Sequence, residues 1–391
     1  MANHSLVRPL TSAEDLLQFN KIEAAAFVSS FDPASYEYKP HTGPSEIWGF
    51  GSPATSAMVI HDFGVWFDGH LVNATGVGGV ASLPESRGQG GIREIFAALL
   101  PAWRENDVVF SLLYPFSHRF YRKFGYELVQ RMHRYTLPME SLAGFPCEAA
   151  AELLTDFSSL QKLHRDFGAA HNLYILRKDA QWNHFKKDPF LTRTYTYRVG
   201  KDAYVTFRPQ DPARGQDGYT LKVLDMAYQN SASLRALFGF LYGLRAQYNQ
   251  VMLELPPSVP LMHMIPECYD VSLSVVAKGM ARIVHVQRAL ELMRYPQEAG
   301  SFTLQVSDAF LPANSGCYVI RYENGHAISV TMDDFCGRPD LIVSIQVLTQ
   351  LVSGSLTLEE ALYLPDVTCL VNPSRLQGIF PRKDLFFTDG F

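Results

Sequence analysis

The chain has 391 residues, a formal net charge of −5, 47% hydrophobic residues and a mean hydropathy of −0.04. At roughly 100–200 residues per domain, this length fits two to four domains, and the apolar content excludes global disorder. The acidic balance counts against nucleic acid as a partner, and no apolar run reaches the roughly 18 residues of a membrane span.

The start, MANHSLVRPLTSAEDLL, lacks the basic and then apolar regions of a signal peptide. The five cysteines (Cys147, Cys268, Cys317, Cys336, Cys369) are odd in number, scattered and without a CxxC pair. They form neither a disulfide framework nor a zinc site. The expectation is a soluble cytoplasmic protein with reduced thiols and no bound metal.

In chain order, a helix is expected over residues 13–27, then a polar, glycine-containing loop over 35–55. Residues 58–67 and 70–83 read as strands around the hairpin turn Asp68-Gly69. A glycine-rich turn (87–91), a helix (92–104), a strand (108–114), a helical stretch (116–124) and further strands to Leu137 complete a first domain, 1–137. A second domain, 138–279, has expected helices at 149–164, 180–187 and 234–248, and strands at 194–199, 203–208, 219–228 and 251–255. Its order of strand, turn, helix, strand repeats that of residues 70–114, which suggests an internal duplication. The third, 280–391, has hairpin strands with the turn Glu323-Asn324-Gly325, helices near 344–352 and 358–364, and the aromatic end LFFTDGF.

The chemistry concentrates in GVASLPESRGQGGIR, residues 79–93, between a strand and a helix. Gly88, Gly90 and Gly91 let backbone N–H groups converge, and the helix start adds its positive dipole end, a cradle for a pyrophosphate. Arg87 adds a fixed charge. The glycines match neither the Rossmann fingerprint nor the P-loop. The run Arg87-Gly88-Gln89-Gly90-Gly91-Ile92 resembles the R-x-x-G-x-[G/A] motif of GCN5-related N-acetyltransferases (GNATs), with Ile92 in place of the usual small residue. LLYPFSHRFYRKFGYE, residues 112–127, resembles the second half of that fold. Residues 80–93 also resemble the motif of the Eis (enhanced intracellular survival) family, with Ser82 as a departure. RPDLIVSIQVLTQLVSGSLTLEEA, residues 338–361, is similar to that family's sterol-carrier-like domain, so the resemblance covers the whole chain.

The resemblance implies an α+β chain with tandem GNAT folds, the second degenerate, and a sterol-carrier-protein-2-like domain. It implies acetyl-CoA as co-substrate, held by backbone groups of Val80, Ala81 and Ser82 along the pantetheine. Arg87, Gly88, Gln89, Gly90, Gly91, Ile92 and Arg93 would meet the pyrophosphate, and Phe116 and Ser117 would flank the thioester. Tyr121 matches the general acid that protonates the departing thiolate, and the α-carboxylate of Phe391 matches the general base. The acceptor would be an amine on a small molecule or peptide (an aminoglycoside, lysine or polyamine), and the assembly a homo-hexamer. The second domain has Ala227-Tyr228-Gln229-Asn230-Ser231-Ala232-Ser233 where a working copy would carry Arg and Gly, so one CoA site per chain is expected. A rival from another class is an acyl-CoA or lipid sensor without turnover. Tyr126 reads as packing, and Arg119, Arg122 and Lys123 as a solvated face.

Overall fold

A computed structural model describes residues 6–39, 41, 45–146, 149–179, 181–182, 188–212, 218–333 and 337–390. The chain forms two compact units. One comprises the described residues of Met1–Val129, Gly279–Lys383 and Asp389–Phe391; the other comprises those of Gln130–Lys278 and Asp384–Thr388.

In the first unit, strands follow the order Val7–Pro9, Ser45–Gly51, Ala54–Phe67, His70–Ser82, Phe110–Leu113, Met280–Ile283, Glu127–Leu128. His70–Ser82 and Phe110–Leu113 are parallel; their neighbours are antiparallel. The hairpin turn has φ of 48° at Asp68 and 89° at Gly69, the pair of positive values that an Asp-Gly turn supplies.

Helix α1 (Ala13–Phe27) starts at Ser12, whose side chain accepts from the Asp15 N–H while Asp15 reaches back in a capping box. Its Leu16, Phe19 and Ile22 pack against Ile47, Ala57 and Ala81. Helix α2 (Gly91–Glu105) packs Ile95, Phe96 and Leu99 against Met58, Ile60 and Val77. Ala57 and Met58 are consecutive on one strand, so their side chains point to opposite faces and the two helices cover both sides of the sheet.

Residues 45–51, expected within a loop, form a strand. Gly49, which reads as loop, is there for packing: a Cβ on it would lie 2.8 Å from the Leu10 side chain. The long expected helical stretch at 116–124 narrows to α3 (His118–Arg122), capped by Ser117.

The same unit holds a second sheet in the order His326–Asp333, Gly316–Glu323, Gly300–Ser307, Leu341–Ser344, Val367–Cys369. Its Asn324-Gly325 turn again has two positive φ values, 53° and 83°. The helix Ile345–Ser353 starts at Ser344, whose side chain accepts from the Val347 N–H, and ends at a left-handed Gly354. Arg282, on the strand Met280–Ile283, is 0% exposed and paired with Asp308, also 0% exposed. Asp308 further accepts from the Phe310 N–H (3.1 Å), the Leu311 N–H (2.9 Å) and Asn314 Nδ2 (3.1 Å), and Arg282 donates to the Phe124 carbonyl. Cys317 is disulfide-bonded, which corrects the expectation that all thiols are reduced; Cys268 and Cys369 are free.

In the second unit the strand order is Ser272–Ala277, Arg131–Pro138, Tyr248–Leu255, Tyr219–Tyr228, Ala203–Gln210, Tyr195–Val199, Ala151–Leu153. Among the described residues its one parallel strand pair, Tyr219–Tyr228 with Tyr248–Leu255, is joined through the helix Ser231–Tyr242, the same arrangement as His70–Ser82, α2 and Phe110–Leu113. Residues 149–164 hold a strand (Ala151–Leu153) before the helix Gln161–Gly168, rather than one long helix. The helix expected at 180–187 falls largely outside the described residues.

Two strands differ in partnership from a reading along the chain. Arg131–Pro138 sits in the second unit's sheet, and Met280–Ile283 sits in the first unit's. Strand patterning fixes which face is buried but not which sheet the strand joins. The aromatic end is anchored: Leu385, Phe386 and Phe387 are buried, and Gln130 Nε2 donates to the Phe387 carbonyl.

Candidate active site

The strand His70–Ser82 organises the site. Its parallel pairing with Phe110–Leu113 runs from Ala74–Phe110 to Val77–Leu113 and stops there, although the strand continues to Ser82. On the other edge it stays paired through Ala81–Ala57 and Ser82–Ser56. The register shifts between Ala57 and Val59, opposite a Gly79 with φ of +54°. An extra residue accommodated at a left-handed glycine is a bulge, and bulges turn a strand away from its neighbour. The backbone of residues 78–82 thus has one edge open where the parallel strands separate.

Beyond Ser82, a short 3-10 turn (Pro84–Ser86) leads into a glycine turn. Gly88 (φ +77°) and Gly90 (φ +89°) are left-handed, with open space where a Cβ would stand. Gly91 is confined differently: a Cβ there would lie 2.9 Å from Ser56 Cβ and 3.1 Å from Phe50 Cδ1. Helix α2 begins here with no side-chain cap. The first helical bond is Glu94 N–H to Gly90 O at 3.0 Å, so the N–H groups of Gly91, Ile92 and Arg93 precede the helix's own acceptors. Donors of this kind at a positive dipole end suit an anion.

Together these elements line a cleft of about 780 Å³. Val80, Ala81, Ser82, Arg87, Gly88, Gly90, Gly91, Ile92, Arg93 and Phe116 all border it. Three expected residues do not. Gln89 turns its amide back to the Glu85 carbonyl (2.8 Å), Ser117 caps α3, and Tyr121 lies 3% exposed behind Phe116. The Phe116 ring is 70% exposed and its centroid is 5.4 Å from that of Tyr121. Phe391 lies outside the described residues.

The cleft also takes in residues that the sequence did not single out: Ala26 and Phe27 at the end of α1, Ser86, Phe120 and Phe124. Lys123, read as part of a solvated face, borders the cleft, whereas Arg122 pairs with Glu127 at 2.7 Å. One helical step separates Phe120 from Lys123 and Phe124, a signal that could have marked them.

Burial pushes the Tyr121 phenol well above the ordinary tyrosine range, with the neighbouring Tyr126 adding to it. Tyr126 is fully buried, and its hydroxyl is 2.7 Å from Ser111 Oγ. Near the point where the parallel strands part, the Tyr114 hydroxyl donates to the Asp389 carbonyl at 2.9 Å. On the α1 side, the Glu23 carboxyl approaches Gly79: a Cβ on that glycine would be 3.4 Å from Glu23 Oε1.

The second unit closes the corresponding place. Its helix Ser231–Tyr242 follows the strand within two residues and begins at Asn230, whose Oδ1 accepts from the Ser233 N–H at 3.0 Å. Ser233 Oγ in turn accepts from the Asn230 N–H (3.0 Å) and the Gln229 N–H (3.1 Å). These donors serve the chain's own cap, and no glycine loop intervenes.

Residues 7–129 match a model of an acetyltransferase (GNAT) domain, residues 173–283 a second acetyltransferase (GNAT) domain model, and residues 286–388 a sterol carrier protein domain model. No curated protein sequence matches the chain. Among solved structures, it is similar to a GCN5-related N-acetyltransferase from Anabaena variabilis, at 23% identity and TM-score 0.85, covering 98% of this chain and 100% of that one. It is similar to a GCN5-related N-acetyltransferase from Kribbella flavida, at 21% identity and TM-score 0.80 over 98% of both chains. Eis1 from Mycobacterium abscessus shows 19% identity and TM-score 0.80, over 98% of this chain and 100% of that one. These likenesses establish the fold. With the domain matches, they make this chain an acyltransferase of tandem GNAT domains followed by a sterol-carrier-like domain, a fold that moves an acyl group from acyl-CoA to an acceptor.

Proposed function

We propose that the protein is an acetyl-CoA-dependent N-acetyltransferase of primary amines, of the Eis type, with direct transfer in the first GNAT domain. The observation that carries this reading is the uncapped, glycine-lined start of α2 beside the open strand edge at 78–82. The first suits a pyrophosphate, and the second offers backbone groups to an extended amide-bearing pantetheine. Arg87, Arg93 and Lys123 line the same cleft and supply positive charge for an anion. The acceptor is a small molecule or peptide bearing a primary amine, such as a lysine, a polyamine or an aminoglycoside. The second domain binds no CoA, since its helix start is already capped.

Direct transfer needs a neutral nitrogen, donors for the tetrahedral oxyanion and a proton for the leaving sulfur. Backbone N–H groups at the open edge serve the oxyanion. Tyr121, a phenol that keeps its proton at neutral pH, donates to sulfur as charge develops there. The α-carboxylate of Phe391 acts as the base. A free terminal carboxylate has a pKa of roughly 3.3–3.7, so it works by orienting the amine or through a water. Support comes from Asp389, two residues earlier, whose carbonyl is held by Tyr114. The cytoplasmic location and hexameric assembly belong to the same reading.

The test is thiol release from acetyl-CoA with a polyamine present. Tyr121→Phe should lower kcat by roughly a hundredfold while leaving acetyl-CoA affinity within about twofold. An equal loss in affinity would assign Tyr121 to packing. Appending residues after Phe391 should abolish turnover with CoA binding intact; full activity would remove the carboxylate from the mechanism. CoA binding without turnover on any amine would favour a sensor.

A further inference from the structure

The acids of α1 are treated unequally. Asp15 is held by Arg8 at 2.6 Å and caps its own helix, and Glu14 is exposed. Glu23 is half-buried, and among the described residues its carboxylate has neither a hydrogen bond nor a cation. Burial without a partner is unfavourable for a carboxylate and pushes its pKa up. Its position adds to the cost. Glu23 lies one turn before the C-terminus of α1, where the helix dipole is negative and where no basic residue sits in the last turn.

The place it occupies gives this arrangement a use. Glu23 stands over Gly79, at the bulge, on the side of the strand that α1 covers. Along the strand, the glycine turn and Arg87 lie beyond Ser82, so Gly79 marks the opposite end of the run 79–82. Ala26, one turn on from Glu23, and Phe27 already border the cleft. The cleft is therefore polarised. At one end stands the uncapped N-terminus of α2 with Arg87 and Arg93; at the other the C-terminus of α1 borders it through Ala26 and Phe27, and the Glu23 carboxylate of that helix lies over Gly79, next to the lining residue Val80.

We propose that Glu23 is the acceptor-binding carboxylate, receiving a cationic group of the incoming amine at the acyl end of the cleft. This rests on the reading of the acceptor as an amine. A cation there completes the missing ion pair and offsets the negative end of α1. The site thus selects cationic acceptors over neutral ones of the same size.

The experiment compares wild type with Glu23→Gln and Glu23→Asp, using spermidine as the cationic acceptor and hydroxylamine, uncharged at neutral pH, as the neutral one. For Glu23→Gln the KM for spermidine should rise roughly tenfold or more. The acetyl-CoA affinity and the rate with hydroxylamine should stay within about twofold, and Glu23→Asp should recover part of the loss. An unchanged spermidine KM overturns the proposal, as does an equal loss with both acceptors, which would mean packing. If wild type transfers to no amine, the amine reading of the enzyme fails, and equilibrium dialysis of spermidine then decides Glu23 separately. Binding lost in Glu23→Gln supports the carboxylate's role; equal binding, or none to wild type, overturns it.

Discussion

At the scale of single residues, the site depends on glycines for two different reasons. Gly88 and Gly90 are needed for a left-handed backbone, while Gly91 is needed for space against Ser56 and Phe50. Forcing an L-residue into the left-handed region costs about 1–2 kcal/mol. Gly90→Ala should therefore lower the melting temperature by no more than a few degrees and, where the turn relaxes to relieve the strain, weaken acetyl-CoA binding by roughly tenfold. Gly91→Ala should weaken binding too and lower the melting temperature further, since the added methyl must displace α2 from the sheet. Calorimetric titration and thermal melting of both variants separate the cases; equal melting temperatures would contradict the packing argument for Gly91. A glycine-rich stretch in a sequence shows none of this difference, which arises from what stands beside each Cα.

At the scale of elements, the two helix starts differ in what their backbone donors serve. The start of α2 has no side-chain cap, whereas at the helix Ser231–Tyr242 Asn230 takes the Ser233 N–H and Ser233 takes the Asn230 and Gln229 N–H groups. Titration with acetyl-CoA should give one equivalent per chain. Asn230→Ala should cost about 1 kcal/mol of stability and leave that stoichiometry at one; a second equivalent in wild type would overturn the argument. The second unit also buries a histidine. Burial, helped by Arg177, holds His164 at about 3, below its ordinary 6.5. Between those values the unfolded chain takes up a proton that the folded chain does not, so stability is intact above about 6.5 and falls as pH drops toward 3. His164→Gln should flatten that acid-side loss in melting temperature, and an unchanged slope would assign it to other groups.

At the scale of the whole molecule, the chain returns late to complete elements begun early. Met280–Ile283 inserts between Phe110–Leu113 and Glu127–Leu128, and its Arg282 meets Asp308 and the Phe124 carbonyl in a fully buried network. Removing one partner of a buried pair leaves an uncompensated charge. Asp308→Ala should destabilise by about 3–5 kcal/mol, whereas replacing Arg282 and Asp308 together with apolar residues should cost far less. Chemical denaturation of the single and double variants measures this, and additive losses would contradict it. The network also backs Phe124, a wall of the cleft, so the single variant should lose acetyl-CoA affinity as well.

The sequence by itself determined the local features of this protein. Helix α1 was legible over residues 13–27, both hairpins at Asp68-Gly69 and Asn324-Gly325, and the turn at 87–91 in its glycines, because each depends on residues within a few positions of one another. It also displayed the loss of the second glycine loop, since an absent Arg and Gly need no partner to be noticed. Tertiary structure alone decided the rest. Which sheet received Arg131–Pro138 or Met280–Ile283 depends on partners far along the chain. That Tyr121 sits behind Phe116, or that Glu23 comes to stand unpaired over Gly79, depends on how two faces of a sheet are covered. Burial and pairing belong to neighbours in space, and a one-dimensional pattern fixes those only where the chain is short enough to bring its own neighbour with it.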